Sequence, residues 1–119
     1  MIDEYQKYLV QVVGELSEIG MVLIEDSDYL ACLESQTGWR LSLEGERYYR
    51  PQIDIEVTPP NQKEGFSLWI LMDAYQRIEN IQQPPPSLSN QLSFFKSNYD
   101  GWLLDVTKYK QVYKEINED

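Results

Sequence analysis

The fold is decided by residues 21–58, which read MVLIEDSDYLACLESQTGWRLSLEGERYYRPQIDIEVT. Apolar and polar side chains alternate along much of this stretch, which is the period of a β-strand with two unlike faces. Turn-forming residues interrupt the alternation at 26–28 and 36–38, and two prolines follow it at 59–60. The pattern predicts an antiparallel meander of about four strands, over residues 21–25, 29–34, 39–44 and 53–58. Gly45 predicts a loosened or bulged end to the third strand.

Residues 3–19 precede the meander and have the period of a helix. The apolar side chains recur at spacings of three and four, and this stripe comprises Tyr5, Tyr8, Leu9, Val12, Val13, Leu16 and Ile19. Asp3 and Glu4 lie in the first turn, where the helix dipole favours negative charge. Gly20 follows the last periodic residue and predicts the end of the helix.

Residues 66–81 are ambiguous from periodicity alone. The apolar positions fit a helix with Ser67 as its N-cap, but the run 66–72 also fits a buried fifth strand. The helix is preferred because residues 73–77 continue it without a break.

The C-terminal third predicts a second helix, capped by Ser87 or Ser89. Its apolar stripe recurs at alternating spacings of four and three, through Leu88, Leu92, Phe95, Tyr99, Trp102, Val106, Tyr109, Tyr113 and Ile116. Residues 98–101, Asn-Tyr-Asp-Gly, are expected to kink or divide it. Packing in the core is preferred for this stripe over dimerisation through it, and a homodimer is left open.

The order of elements predicts an α+β fold: an N-terminal helix, a sheet of about four antiparallel strands, then two C-terminal helices packed on the sheet. The 119 residues, 42% of them hydrophobic, suit a single domain spanning 1–119.

Charge narrows the class of partner. The chain has 20 acidic and 10 basic residues, a net charge of −10, and residues 1–60 hold 12 acidic and 4 basic groups, net −8. This field repels nucleic acid and anionic lipid and favours a basic protein. No run of 18 apolar residues is present, the N-terminal residues are acidic, and Cys32 is the single cysteine. These features predict a cytoplasmic protein that makes no contact with a membrane.

The residue types required for much enzyme chemistry are missing. The sequence has no histidine, which removes the commonest general base and the commonest metal ligand. Cys32 lies among apolar neighbours in a predicted strand, which favours a buried, inert thiol. The sequence therefore predicts a protein that is not an enzyme and has no cofactor or metal.

Carboxylates offer the remaining route to chemistry. Glu25, Asp26 and Asp28 cluster in a turn but lack the pattern of a calcium loop, so a solvated turn is the preferred interpretation. Asp54 and Glu56 share one face of a strand, as an acid–base pair would. No cleft is indicated around them, and a polar outer face is preferred.

Aromatic residues supply the strongest signal for binding, because tyrosine and tryptophan are frequent interface anchors. Tyr5, Trp69, Trp102 and Tyr109 are assigned to the core, and Tyr29, Tyr48, Tyr49 and Tyr75 to the surface. Tyrosine interleaved with carboxylates suits a basic partner, because guanidinium groups pair with carboxylates and stack on rings. Arg40, Arg47 and Arg50 weaken the field locally or pair with the acids. The predicted partner-binding residues are Glu25, Asp26, Asp28, Tyr29, Glu44, Glu46, Tyr48, Tyr49, Asp54 and Glu56.

The whole chain resembles the immunity proteins that neutralise polymorphic bacterial toxins. The resemblance lies in the acidic charge and the order of elements, and most of all in the stretch from Phe66-Ser67-Leu68-Trp69 to Leu92-Ser93-Phe94-Phe95-Lys96. It implies a protein that binds a cognate toxin and blocks its active site or partner surface, and it assigns no role to any residue.

Three other functions are kept as alternatives. A secretion chaperone for an effector protein is also small, acidic and α/β, and it is typically a dimer. A phage-type inhibitor that mimics nucleic acid needs long rows of acids, which the three arginines interrupt here. A carboxylate enzyme would use Asp54 or Glu56.

Overall fold

A computed structural model describes residues 1–48 and 51–118. The α+β class and the antiparallel meander preceded by a helix are confirmed. The chain divides into two compact units, Met1–Gly65 and Phe66–Asp119. That these units together make one domain stays a prediction.

The first unit begins with helix α1, Asp3–Leu16, followed by a 3-10 turn, Ser17–Ile19. Gly20 adopts a left-handed conformation with φ of 83° and ends the helix, as predicted. The buried residues of α1 are Tyr5, Leu9, Val12 and Leu16, all from the predicted stripe.

Four antiparallel strands follow: β1 (Val22–Asp26), β2 (Leu30–Glu34), β3 (Arg40–Gly45) and β4 (Ile53–Thr58), each paired with the next. Directly opposed residues share one face of a sheet. The register therefore defines a buried inner face with two rows, Ala31–Leu43–Ile55 and Leu33–Leu41–Val57. The other residues of each strand form the outer face.

Tyr5 holds α1 against the end of β3. An added Cβ on Gly45 would lie 2.5 Å from the Tyr5 ring, so only glycine leaves room for it. The Tyr5 hydroxyl also donates a hydrogen bond of 2.6 Å to the carbonyl oxygen of Glu46. Gly45 itself pairs in register with Ile53, so the prediction of a bulge there is wrong. The irregularity lies in β1, between Leu23 and Glu25.

The second unit contains a two-residue strand and three helices: β5 (Phe66–Ser67), α2 (Leu68–Glu79), α3 (Leu88–Asn98) and α4 (Val106–Glu118). The preference for a helix after Phe66 is confirmed, with Ser67 at its N-cap position. Ser87 caps α3 by accepting a hydrogen bond from the backbone N–H of Asn90. Three helices replace the predicted two because residues 99–105 form turns, in which Leu103 N–H donates back to the carbonyl of Asn98.

Aromatic rings form the core of the second unit. Trp102 stacks on Tyr109 with ring centroids 5.0 Å apart, and the buried Tyr109 hydroxyl donates to the carbonyl of Leu103 at 2.7 Å. Burial raises the pKa of Tyr109 well above its usual range. Tyr75, predicted as a surface residue, packs edge-on against Trp102 and Phe94.

The assignment of Trp69 to the core is wrong. Its side chain is 46% exposed. The buried face of α2 takes Leu68, Leu71 and Met72, so Trp69 shares the opposite side with Gln76, seven residues on. There it lines a groove of about 360 Å³ beside residues 84–86, the three prolines.

No helix within residues 1–48 and 51–118 is long and apolar enough to cross a membrane.

Gly45→Ala should destabilise the chain by about 2 kcal/mol, because the new methyl group overlaps the Tyr5 ring. Urea unfolding measures the change. In a Tyr5→Leu background the cost of Gly45→Ala should shrink, and an unchanged cost would show that the ring is not the obstacle. Gly14→Ala is the control: a Cβ there meets nothing within 4 Å, and in a helix this change should stabilise by about 0.5–1 kcal/mol.

Candidate protein-binding face

The outer face of the sheet carries five carboxylates, Glu25, Glu34, Glu44, Asp54 and Glu56, and is called the acidic face below. The register places them in rows across the strands: Glu44 opposite Asp54, Glu56 opposite Ser42, and Glu34 opposite Arg40. Glu25 pairs with Cys32, which in turn lies opposite Ser42. Strand alternation thus gathers acids that are far apart in sequence.

Three of these acids repel one another. Like charges directly opposed across a sheet are destabilising, as Glu44 and Asp54 are here. Partial burial, and then the charges of Asp54 and Glu44, raise the pKa of Glu56. The acidic face therefore carries an electrostatic cost that is greatest when all three groups are ionised.

The loop 59–65 accounts for part of the burial of Glu56. An added Cβ on Gly65 would lie 3.1 Å from Oε2 of Glu56 and 3.2 Å from Oγ1 of Thr58, so the loop backbone folds over that end of β4. Gly65 is thus a position where a side chain would press on the acid. The two prolines that end β4 direct the chain into this loop.

A groove of about 600 Å³ lies between this loop and the acidic face. Its lining is mostly polar and comprises Glu25, Cys32, Glu34, Gly38, Arg40, Ser42, Thr58, Pro59, Asn61, Gln62 and Lys63. Arg40 approaches Glu34 at 3.9 Å. Cys32 is buried, as predicted, and its Sγ lies 3.8 Å from the Ser42 hydroxyl. The groove can accept an extended polar side chain next to the carboxylates of Glu25 and Glu34.

The structure separates the predicted site residues into two groups. Glu25, Glu44, Asp54 and Glu56 lie together on the acidic face. The others lie at the end of the sheet where the β1–β2 turn and the β3–β4 loop meet, and this group comprises Asp26, Asp28, Tyr29, Glu46 and Tyr48. Tyr49 and Arg50 lie outside the described residues.

At that end the carboxylate of Asp26 and the backbone of Asp28 contact the first two residues of the chain. Asp26 forms an ion pair with the α-ammonium group of Met1, and the carbonyl of Asp28 accepts a hydrogen bond from the backbone N–H of Ile2. Asp26 lies opposite Ala31 and therefore belongs to the inner face of the sheet, whereas Glu25 belongs to the outer face. No group of three or more metal-ligating side chains that could hold an ion occurs within the described part of the chain.

Tyr29 lies on the helix side of the sheet. Its ring contacts Tyr5 edge-on at 6.4 Å between centroids, and the guanidinium of Arg47 lies 4.8 Å above it. Tyr48 and Glu46 are exposed in the loop after β3. None of the described tyrosines lies on the acidic face, so the side chains of that face offer charge and not aromatic rings.

Sequence reasoning missed most of the groove, including two of its charged members, Glu34 and Lys63. Glu34 belongs to the same alternating set as Cys32, so its place on the outer face was readable from the period of two. Lys63 had no such signal, because a loop position becomes part of a groove only when the chain folds back. No family model, no curated protein and no solved structure matches the chain.

Glu56→Gln should raise the free energy of unfolding at neutral pH, by about 0.5 kcal/mol, because it removes one charge from a repelling group. Since the folded pKa is raised, the stability linked to this group is present at low pH and lost as pH rises through that pKa. The gain should therefore vanish at about pH 3, where the carboxyl groups are protonated. Urea unfolding at both pH values tests this.

The control is Glu46→Gln, in the exposed loop after β3, which should change stability little at either pH. An equal gain from both variants would mean that only the net charge matters. An equal gain at both pH values would mean that Glu56 acts through something other than its ionisation.

Proposed function

We propose that the protein is an immunity protein, which binds a bacterial toxin through its acidic face and neutralises it by occupying a basic surface. The observation that carries this proposal is the outer face of the sheet with five carboxylates, in which Glu44 stands directly opposite Asp54. A stable fold does not require that arrangement, since like charges in opposition destabilise a sheet. A basic partner would remove the repulsion.

Electrostatic complementarity also suits a rapid encounter. Opposite fields on two proteins accelerate association at low salt and suppress wrong partners. The net charge of −8 over residues 1–60 concentrates this field in the unit that carries the acidic face. An immunity protein must reach its toxin before the toxin acts, so a fast association rate serves that role.

The resemblance to immunity proteins supplies the class of partner. The order of elements on which it rests, a helix, a meander and further helices, is the order in the structure. Toxins that act on nucleic acid carry basic surfaces, and such a surface is complementary to the acidic face.

The alternatives predict different observations. A nucleic-acid mimic needs an uninterrupted row of acids, whereas Arg40 lies within the acidic face beside Glu34. A secretion chaperone would be a stable dimer whose captured partner is harmless in the producing cell.

Capture from the native host tests the proposal. The tagged chain should retain a basic protein that arrests growth when expressed alone, and co-expression of this chain should restore growth. The double variant Glu44→Lys, Asp54→Lys should lose both capture and protection. For the purified pair, the association rate should fall by about tenfold or more from low to high salt.

The matched control is Glu115→Lys, Glu118→Lys, which reverses two exposed charges on α4 and should keep capture and protection. Equal loss in both double variants would reduce the effect to net charge. A captured protein without toxicity, or an association rate that ignores salt, would contradict the proposed function.

A further inference from the structure

Strand β1 is the terminal strand of the meander and is exposed along its whole length. It carries three consecutive aliphatic residues: Val22 is 61% exposed, Leu23 41% and Ile24 51%. Proteins usually protect such an edge, because unpaired backbone groups beside apolar side chains invite another strand. Within the described residues, no backbone hydrogen bond joins β1 to anything outside the sheet and its flanking turns.

We infer that β1 is a docking edge, on which an extended segment of a basic protein adds one more strand beside β1. This inference rests on the proposed function for the positive charge of the partner. Main-chain hydrogen bonds would supply the pairing, and side chains on alternate positions would supply the selectivity. The occupant is a strand that carries lysine or arginine together with aliphatic residues.

Both faces of β1 favour this chemistry. The register places Val22 and Glu25 toward the outer face, opposite Glu34 and Cys32, and Leu23 and Asp26 toward the inner one, opposite Leu33 and Ala31. Each face of the strand therefore offers one aliphatic residue and one acid. Opposite charges on paired strands stabilise the pairing, so a cation opposite Glu25 adds to the backbone bonds, whereas Asp26 is already paired with the α-ammonium group of Met1.

Glu25 joins this edge to the acidic face. It also lines the groove between the sheet and the loop 59–65, next to Cys32 and Glu34. A strand docked on β1 would bring its outward-facing side chains alongside Glu25, at the mouth of that groove. The edge and the acidic face then form one continuous surface for a basic partner.

A second copy of this chain fits the edge less well. Pairing β1 with itself would bring together two chains of net charge −10 and place Glu25 and Asp26 of both copies close to one another. The irregularity between Leu23 and Glu25 would also have to be matched by an identical irregularity. Both effects oppose self-association, whereas a basic strand meets neither charge repulsion nor a second copy of the irregularity.

The test uses a synthetic peptide as probe, Lys-Val-Lys-Val-Lys-Val-Lys, and needs no knowledge of the natural partner. Amide hydrogen exchange of the purified chain is followed with and without it. At a peptide concentration four times its Kd, the amides within residues 22–26 that point away from β2 should exchange about fivefold more slowly. The same peptide N-methylated at every residue has no backbone N–H to donate on either edge, so it cannot form the ladder and should give no such protection.

Ile24→Lys and Val22→Lys each put a positive charge on the β1 edge. That charge repels the cationic peptide, so each variant should abolish the protection. Val10→Lys is the matched control, because Val10 is an aliphatic residue of α1 with 63% exposure, and protection should persist. Circular dichroism confirms that each variant is folded.

Several outcomes would overturn the inference: no binding, equal protection by the N-methylated peptide, protection of amides next to Glu44 and Asp54 alone, or a β1-mediated dimer by sedimentation. These outcomes leave the proposed function standing if the growth assay succeeds. Conversely, protection of β1 together with a harmless captured partner would contradict the proposed toxin-neutralising function and support the docking edge.

Discussion

The contact between Tyr5 and Gly45 is the constraint on which the first unit depends. The tyrosine ring occupies the space that a side chain on Gly45 would fill, and its hydroxyl donates a hydrogen bond to the carbonyl of Glu46. This contact holds α1 on the inner face of the sheet, where Leu41 and Leu43 are buried. Because one face is then committed to the core, strand alternation sends the acids of the same strands to the other face.

That division has an energetic consequence. The inner rows gain from burial of aliphatic side chains, while the outer rows place Glu44 opposite Asp54. Partial burial, and then these two charges, raise the pKa of Glu56. Solvent screens the exposed Glu44, whereas Asp54 and Glu56 are half-buried. A basic partner would convert the same arrangement into attraction, which gives the acidic face and the β1 edge a common physical basis for binding.

The second unit is organised differently. Its core is built from rings, with Phe66 packed edge-on against Tyr113 at 4.9 Å and Trp102 stacked on Tyr109. Glu79, at the end of α2, accepts hydrogen bonds from Lys108 of α4 and from the indole N–H of Trp102, and the bond from Lys108 lowers the pKa of Glu79. The regular stripe of the C-terminal third supplies four buried residues to the core, Leu92, Phe95, Trp102 and Tyr109.

Local sequence determined the elements of this protein and the sign of its charge, because period, caps and turn residues act within a few positions. Helix α1, the four strands of the meander and the Ser87 cap were all readable in that way, as was the place of Asp54 and Glu56 on one face of a strand. Only the tertiary structure decided which residues meet across long stretches of chain. The ring of Tyr29 contacts Tyr5, the side chain of Trp69 is exposed, and Gly65 lies next to the Glu56 carboxylate. These three positions depend on contacts or faces that periodicity within one segment does not specify.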